Sequence, residues 1–172
     1  MLLQYEETAN ITDNAYLNHL LGNICSQESC SIEDIRIGGV MSSEQIGDGS
    51  SREQAASSQK VLGGFANIAN EYATKRYRSN LINWGVLPFH TEEQIQLEVG
   101  DYVLVRNVKE VVANSQETVE LEVYHEIPGD DHLADGNHTF APDYTIKCTL
   151  DSLTEDEKKI LLAGSLINYY QQ

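Results

Sequence analysis

The residues best equipped for chemistry lie together in Gly47-Asp48-Gly49-Ser50-Ser51-Arg52-Glu53, a glycine turn running into a helix start. Gly47 and Gly49 permit positive backbone φ and let a ligand approach the main chain closely. Ser50 and Glu53 stand at the S-x-x-E spacing of a capping box, which predicts Ser50 as the N-cap of a helix continuing through Gln54, Ala55 and Ala56. The first turn of such a helix offers unpaired backbone N–H groups and the positive end of its dipole. Arg52 adds a planar fork of donors beside them. Together these groups form a receptor for a carboxylate or a phosphate. A capped helix with a solvated Arg52 is the plainer reading of this stretch taken alone, so the surrounding elements bear on the choice.

The turn needs a strand to enter from and a sheet to stand on. Residues 35–41, Ile35-Arg36-Ile37-Gly38-Gly39-Val40-Met41, predict a short strand opening into it. Beyond the helix of 50–58, Val61, Leu62, Phe65, Ala66, Ile68 and Ala69 surround the pair Gly63-Gly64. Periodicity alone does not separate a strand at 65–69 from the start of a long helix reaching Ile82. Gly85 is a helix stop, and Val86-Leu87-Pro88-Phe89 returns to a sheet. Lys75, Arg76 and Arg78 read as a solvated helix face rather than an anion-steering patch. Trp84 reads as a core residue whose indole needs a hydrogen-bond partner.

From 95 to 127 the pattern changes to period two. Residues 99–106 and 118–124 alternate apolar with polar and predict an antiparallel pair with one wet face, joined by the polar segment 114–117. An acidic loop follows. His132, His138, Asp130, Asp131 and Asp135 invite a metal reading, but their spacing matches no helical ligand pair and Gly129 and Gly136 break the segment. It is expected to be a surface loop over 128–143, and no metal site is assigned. Residues 144–150 predict a further strand, and Thr154-Glu155-Asp156-Glu157 a second capping box opening a helix through Ile160, Leu161, Leu162, Leu166 and Ile167. Near the start, Tyr16, Leu17, Leu20, Leu21 and Ile24 fall at helical spacing, with Thr12 or Asp13 as the expected cap. Strands and helices mixed in this order give an α+β or α/β domain.

At 172 residues, 41% hydrophobic and 22% charged, the chain reads as one globular domain over 1–172. No run approaches the about 20 apolar residues of a membrane span, and no basic-then-apolar leader opens the chain, so no membrane partner and a cytoplasmic location are expected. The net charge of −16, from 27 acidic against 11 basic residues, argues against nucleic acid as a partner. An acidic protein that binds an acidic substrate needs a local exception, and Arg52 with its backbone N–H groups is the candidate. Cys25, Cys30 and Cys148 form neither a C-x-x-C pair nor an even set, so neither a disulfide framework nor a self-contained metal site is expected.

Gly49-Ser50-Ser51-Arg52-Glu53-Gln54-Ala55-Ala56, Leu62-Gly63-Gly64 and Arg78-Ser79-Asn80-Leu81-Ile82-Asn83-Trp84-Gly85-Val86-Leu87-Pro88 together resemble the C-terminal swivel domain of the aconitase and isopropylmalate isomerase superfamily, most nearly its aconitase-like bacterial hydratases. Fainter matches are Asn10-Ile11-Thr12-Asp13-Asn14 and Ala163-Gly164-Ser165-Leu166-Ile167-Asn168, and all fall in the family's order. The resemblance implies an α/β fold of the swivelling β/β/α type, a barrel-like sheet flanked by helices. It favours a strand at 65–69 followed by a helix over about 71–84.

The resemblance also implies a hydro-lyase that reversibly dehydrates a hydroxy-carboxylic acid. Ser50 would be the catalytic base, Ser51 and Arg52 would hold substrate carboxylate, and Gly47 and Gly49 would support the loop. A 4Fe–4S cluster is implied in partner domains or a large subunit, with no cofactor in this chain. Two departures stand out: Gln54 replaces a common histidine, and no arginine precedes Arg36 where the family carries a substrate-binding one. The expectation is a domain excised from a longer hydratase and lacking its opening strand, inactive in isolation. The alternatives are a non-catalytic lid or anion-binding module, or a small subunit of an isopropylmalate isomerase-type enzyme.

Overall fold

The computed structural model describes residues 14–114, 118–126 and 140–171. They fall into two compact units, one made of 14–37 with 125–126 and 140–142, the other of 38–114, 118–124 and 143–171. The expected caps Thr12 and Asp13, and His132, His138, Asp130, Asp131 and Asp135 of the acidic loop, lie outside the described residues.

In the first unit, helix α1 (Ala15–Glu28) buries Leu17, Leu20, Leu21 and Ile24, the stripe that the sequence spacing predicts. Its cap is Asn14, whose side chain accepts from Leu17 N at 2.7 Å. Ser29, in the left-handed region at φ 53°, ends the helix, and Cys30 N donates to Cys25 O at 3.2 Å. Tyr16 meets Phe140 edge-on, ring centroids 5.4 Å apart.

The second unit holds the chemistry. Strand β1 (Gly39–Ile46), helix α2 (Arg52–Val61), strand β2 (Gly64–Tyr72), helix α3 (Lys75–Asn83) and strand β3 (Leu87–His90) alternate, and the strands pair in parallel in the order β1-β2-β3. This is the arrangement that alternating strand and helix signals demand. Strand β1 starts four residues later than the expected 35–41 segment and runs on into the turn. Helix α3 begins at Lys75 rather than near 71, because Asn70 to Tyr72 still belong to β2. Thr74 caps α3 by accepting from Tyr77 N at 3.2 Å, and Gly85, at φ 67°, stops it.

The expected period-two region contains strands β4 (Tyr102–Leu104) and β5 (Val119–Tyr124), antiparallel as predicted, with β6 (Tyr144–Cys148) antiparallel to β5. Between β4 and β5 lies an unexpected helix α4 (Val108–Asn114), which buries Val111 and Val112. The second capping box is present: Thr154 Oγ1 accepts from Glu157 N, and Glu157 Oε2 from Thr154 N at 2.8 Å. Helix α5 (Glu155–Ala163) then ends at Gly164, φ 87°, and Ser165 caps a separate helix α6 (Leu166–Tyr170). The single helix expected through Ile167 is therefore two.

The expected barrel-like sheet is absent among the described residues. The strands form two open three-stranded sheets, parallel and antiparallel, joined where His90 and Thr149 exchange backbone hydrogen bonds of 2.8 and 2.7 Å. One apolar core runs between the sheets and helices, with Ile68, Ile82, Phe89, Leu121, Val123 and Ile146 at its centre. A smaller cluster of Ala56, Tyr77, Leu81 and Val86 lies apart from it, flanked by Ile46, Tyr72 and Trp84.

Candidate functional site

The turn that the sequence singles out follows directly from the C-terminal end of β1 and opens α2. Crevices outside the carboxyl ends of parallel strands are where open α/β sheets bind ligands. Gly47 takes φ 87°, and a Cβ built there would lie 2.2 Å from Tyr77 Cδ1, so glycine is required twice over. Gly49 differs. Its φ is not in the left-handed region and nothing lies within 4 Å of an added Cβ, so its backbone needs no glycine and the space beside it is open.

The capping box expected at Ser50 does not form. Helix α2 starts at Arg52 with Ser51 as N-cap, and no side chain caps it. Glu53 turns away from Ser50 and accepts from Trp84 Nε1 at 2.7 Å. The hydrogen-bond partner that the Trp84 indole required is thus this carboxylate, and the ring packs on the smaller apolar cluster. Ser50 and Ser51 are exposed, and Arg52 is half-buried with Nε donating to Gly47 O at 3.3 Å. Among the described residues, the backbone N–H groups of Ser50, Ser51 and Arg52 have no protein acceptor. The turn therefore presents two hydroxyls, an arginine and free N–H groups at the positive end of a helix. Gln54 is exposed one position further on.

Beneath the turn lies a buried polar chain that the sequence reading missed. Asn67, fully buried on β2, accepts from Gln59 Nε2 of α2 and donates to the Tyr77 hydroxyl of α3 at 3.4 Å. The Tyr72 hydroxyl donates to Asn67 O at 3.3 Å and to Phe89 O at 3.0 Å. Burial raises the pKa of both tyrosines, for Tyr77 against a lowering influence of the Asn67 hydrogen bond, so both phenols stay protonated. One signal was available: Asn67 is a polar residue inside the apolar run 65–69.

Other candidates separate from the turn. Lys75 and Arg76 are exposed as expected, but Arg78 is not a solvated cation: its Nη2 donates to Leu150 O at 2.7 Å, and Asp151 and Glu157 lie 3.8 and 3.6 Å from its guanidinium. A shallow, open concavity of about 440 Å³ is lined by Glu44, His90, Glu92 and Glu93 among others, an acidic surface unsuited to a carboxylate ligand.

A cluster or metal finds no seat among the described residues, where no three of His, Cys, Asp and Glu gather to hold an ion. Cys148 is buried and its thiol is pushed up to about 12 by that burial, against a lowering hydrogen bond from Thr91. Burial also raises the Cys25 thiol, with Cys30 and Asp34 adding to it. Neither is a ready thiolate ligand. No helix among the described residues is long and apolar enough to cross a membrane.

Residues 10–94 match the family described as Aconitase C-terminal domain. The homoaconitase small subunit of Thermus thermophilus is 50% identical over 58 residues, which are 33% of this chain and 35% of that protein. The crystal structure of a 3-isopropylmalate dehydratase from Methanocaldococcus jannaschii aligns with TM-score 0.50 at 31% identity, covering 81% of this chain and 66% of that one. The chain thus matches about a third of the length of the curated relative.

Proposed function

We propose, for a chain whose residues 10–94 belong to the aconitase C-terminal domain family, that it is the carboxylate-binding and proton-transferring component of a hydro-lyase. The small-subunit form of that role has the better support, because one relative is itself a homoaconitase small subunit and another similar protein is a 3-isopropylmalate dehydratase. Its partner would be a large subunit or further domains, and its substrate a small hydroxy-carboxylic acid.

The observation that carries the reading is the uncapped turn. Ser50 and Ser51 are exposed, Arg52 stands beside them, and the backbone N–H groups of Ser50, Ser51 and Arg52 have no protein acceptor among the described residues. In this role Arg52 and Ser51 bind a substrate carboxylate, while the Ser50 hydroxyl moves the proton α to it. A serine is a poor base at neutral pH, and the free N–H groups and helix dipole stabilise its alkoxide as an oxyanion hole does. In this reading any iron–sulfur cluster would be held by the partner, and no step is assigned to it.

The test is kinetic, in the complete enzyme, with isopropylmalate or homoaconitase-type substrates. Ser50→Ala is expected to lower kcat about 10²–10⁴-fold, the scale of general-base loss, with a much smaller effect on KM. Stability should be unchanged, because Ser50 caps nothing. Arg52→Lys keeps the charge but loses the fork, and should raise KM. Near-normal turnover by Ser50→Ala would leave the non-catalytic lid or anion-binding module as the better account.

A further inference from the structure

Glu53 performs a different task from the one its spacing predicts. Its carboxylate reaches across to α3, where Trp84 Nε1 donates to Oε1 at 2.7 Å. The Asn80 amide, oriented to satisfy its neighbours, donates to Glu53 Oε2 at 3.1 Å and accepts from Glu53 N at 3.2 Å. Main chain and side chain of one residue are therefore both gripped by the last turns of α3. At the other end of the turn, the ring of Tyr77, also from α3, lies directly against Gly47.

The span from Asp48 to Arg52 is thus suspended between two anchors on a single helix. Both oxygens of the carboxylate are occupied by donors from Trp84 and Asn80. A negative charge that would otherwise face an incoming anion is turned aside and partly neutralised by donors. Had Glu53 closed the capping box, it would have bonded the N-cap N–H and narrowed the anion-receptive turn.

We infer that Glu53, held by Trp84 and Asn80, is the positioning residue that aims Ser50, Ser51 and Arg52 at the substrate carboxylate. The inference rests on the reading of the turn given above, and it assigns no chemistry to Glu53 itself. Its consequence is geometric: removing the carboxylate frees the start of α2 to rotate and lets the turn relax.

The experiment uses the full chain labelled with ¹⁵N and citrate as the probe carboxylate. In the wild type, citrate should shift the Ser50, Ser51 and Arg52 amide signals saturably. Glu53→Gln keeps an acceptor for Trp84 and a polar partner for Asn80, and should bind within about twofold of wild type, because the geometry survives. Glu53→Ala should bind citrate about tenfold more weakly, the scale of one lost charge-assisted hydrogen bond. Trp84→Phe, which loses the Nε1 donor and part of the ring that packs on the smaller cluster, should fall between them. Citrate binding by Glu53→Ala equal to wild type, with unmoved turn amides, would overturn the inference.

If wild type shows no saturable shift, the carboxylate reading of the turn fails, and Glu53 is judged on the ligand-free protein. Displaced and faster-exchanging Ser50–Arg52 amides in Glu53→Ala, with β2 and β3 amides unchanged, sustain the positioning role. Unchanged turn amides overturn it. Should Glu53→Ala fail to fold, Trp84→Phe against Glu53→Gln carries the same comparison.

Discussion

The two apolar clusters of the larger unit are built to different ends. The one around Phe89 and Leu121 is aliphatic and aromatic bulk drawn from both sheets, with its central side chains fully out of water. The one around Tyr77 is small, and its members are tied as much by hydrogen bonds as by contact: Tyr77 to Asn67, Tyr72 to two backbone carbonyls, Trp84 to Glu53. Burial of apolar area is strong but non-directional, whereas hydrogen bonds and ring faces fix orientation. The candidate site stands on the second cluster. Stability and aim are thus supplied by different parts of one unit.

Substitutions in the two clusters should separate these contributions. Phe89→Ala empties the centre of the large core and should cost about 3–5 kcal/mol in urea unfolding. Its effect on citrate-induced shifts at Ser50–Arg52 should be small in whatever fraction remains folded, and an equal loss of both would merge the two clusters into one. Gly47→Ala should cost about 2–3 kcal/mol, from left-handed strain and the collision with Tyr77, and should also displace the turn amides. Gly49→Ala is the control. With open space and no left-handed φ it should stay within about 0.5 kcal/mol of wild type.

A modest effect belongs to the antiparallel sheet. Arg106 Nε and Nη2 donate to the two oxygens of Glu122 at 2.7 and 3.0 Å, and the Tyr124 hydroxyl adds a bond of 2.7 Å. The Arg106 hydrogen bond holds the Glu122 carboxyl below its ordinary value of 4.5. A depressed folded pKa contributes stability above the unfolded pKa and loses it as pH falls through the folded one. Stability should therefore drop on acidification from about pH 4.5 downward, by about 1 kcal/mol for this pair. Arg106→Ala should flatten that part of the pH profile, with the Ser50–Arg52 turn untouched.

How much of this was legible in the sequence depends on how local each cause was. The Thr154–Glu157 box was readable because both partners lie within one turn, and Arg78 of α3 meets the other carboxylate oxygen of Glu157 without displacing the cap. Ser50–Glu53 has the same spacing and failed, since Trp84 and Asn80, distant in sequence, offered Glu53 better-placed donors. Helix α4 is too short for its period to stand out from the alternation around it. The break at Gly164 was written in Gly164-Ser165, a stop followed by a cap, but the leucines on both sides masked it. At the site, the resemblance and the residue types identified the turn, whereas its supports could not be read. Asn67, Tyr77 and Gln59 come together only when the parallel strands pair.

The bridge between His90 and Thr149 bears on the order in which the molecule assembles. The parallel strands and their helices occupy one uninterrupted stretch of chain, so each strand finds its neighbour after a short crossover. The bridge instead closes a long loop, and loop-closure entropy and contact order make such pairings slow. Pulse-labelled hydrogen exchange during refolding should therefore protect β2 amides before those of His90 and Thr149. The turn that opens α2 would then take shape before the second sheet has docked.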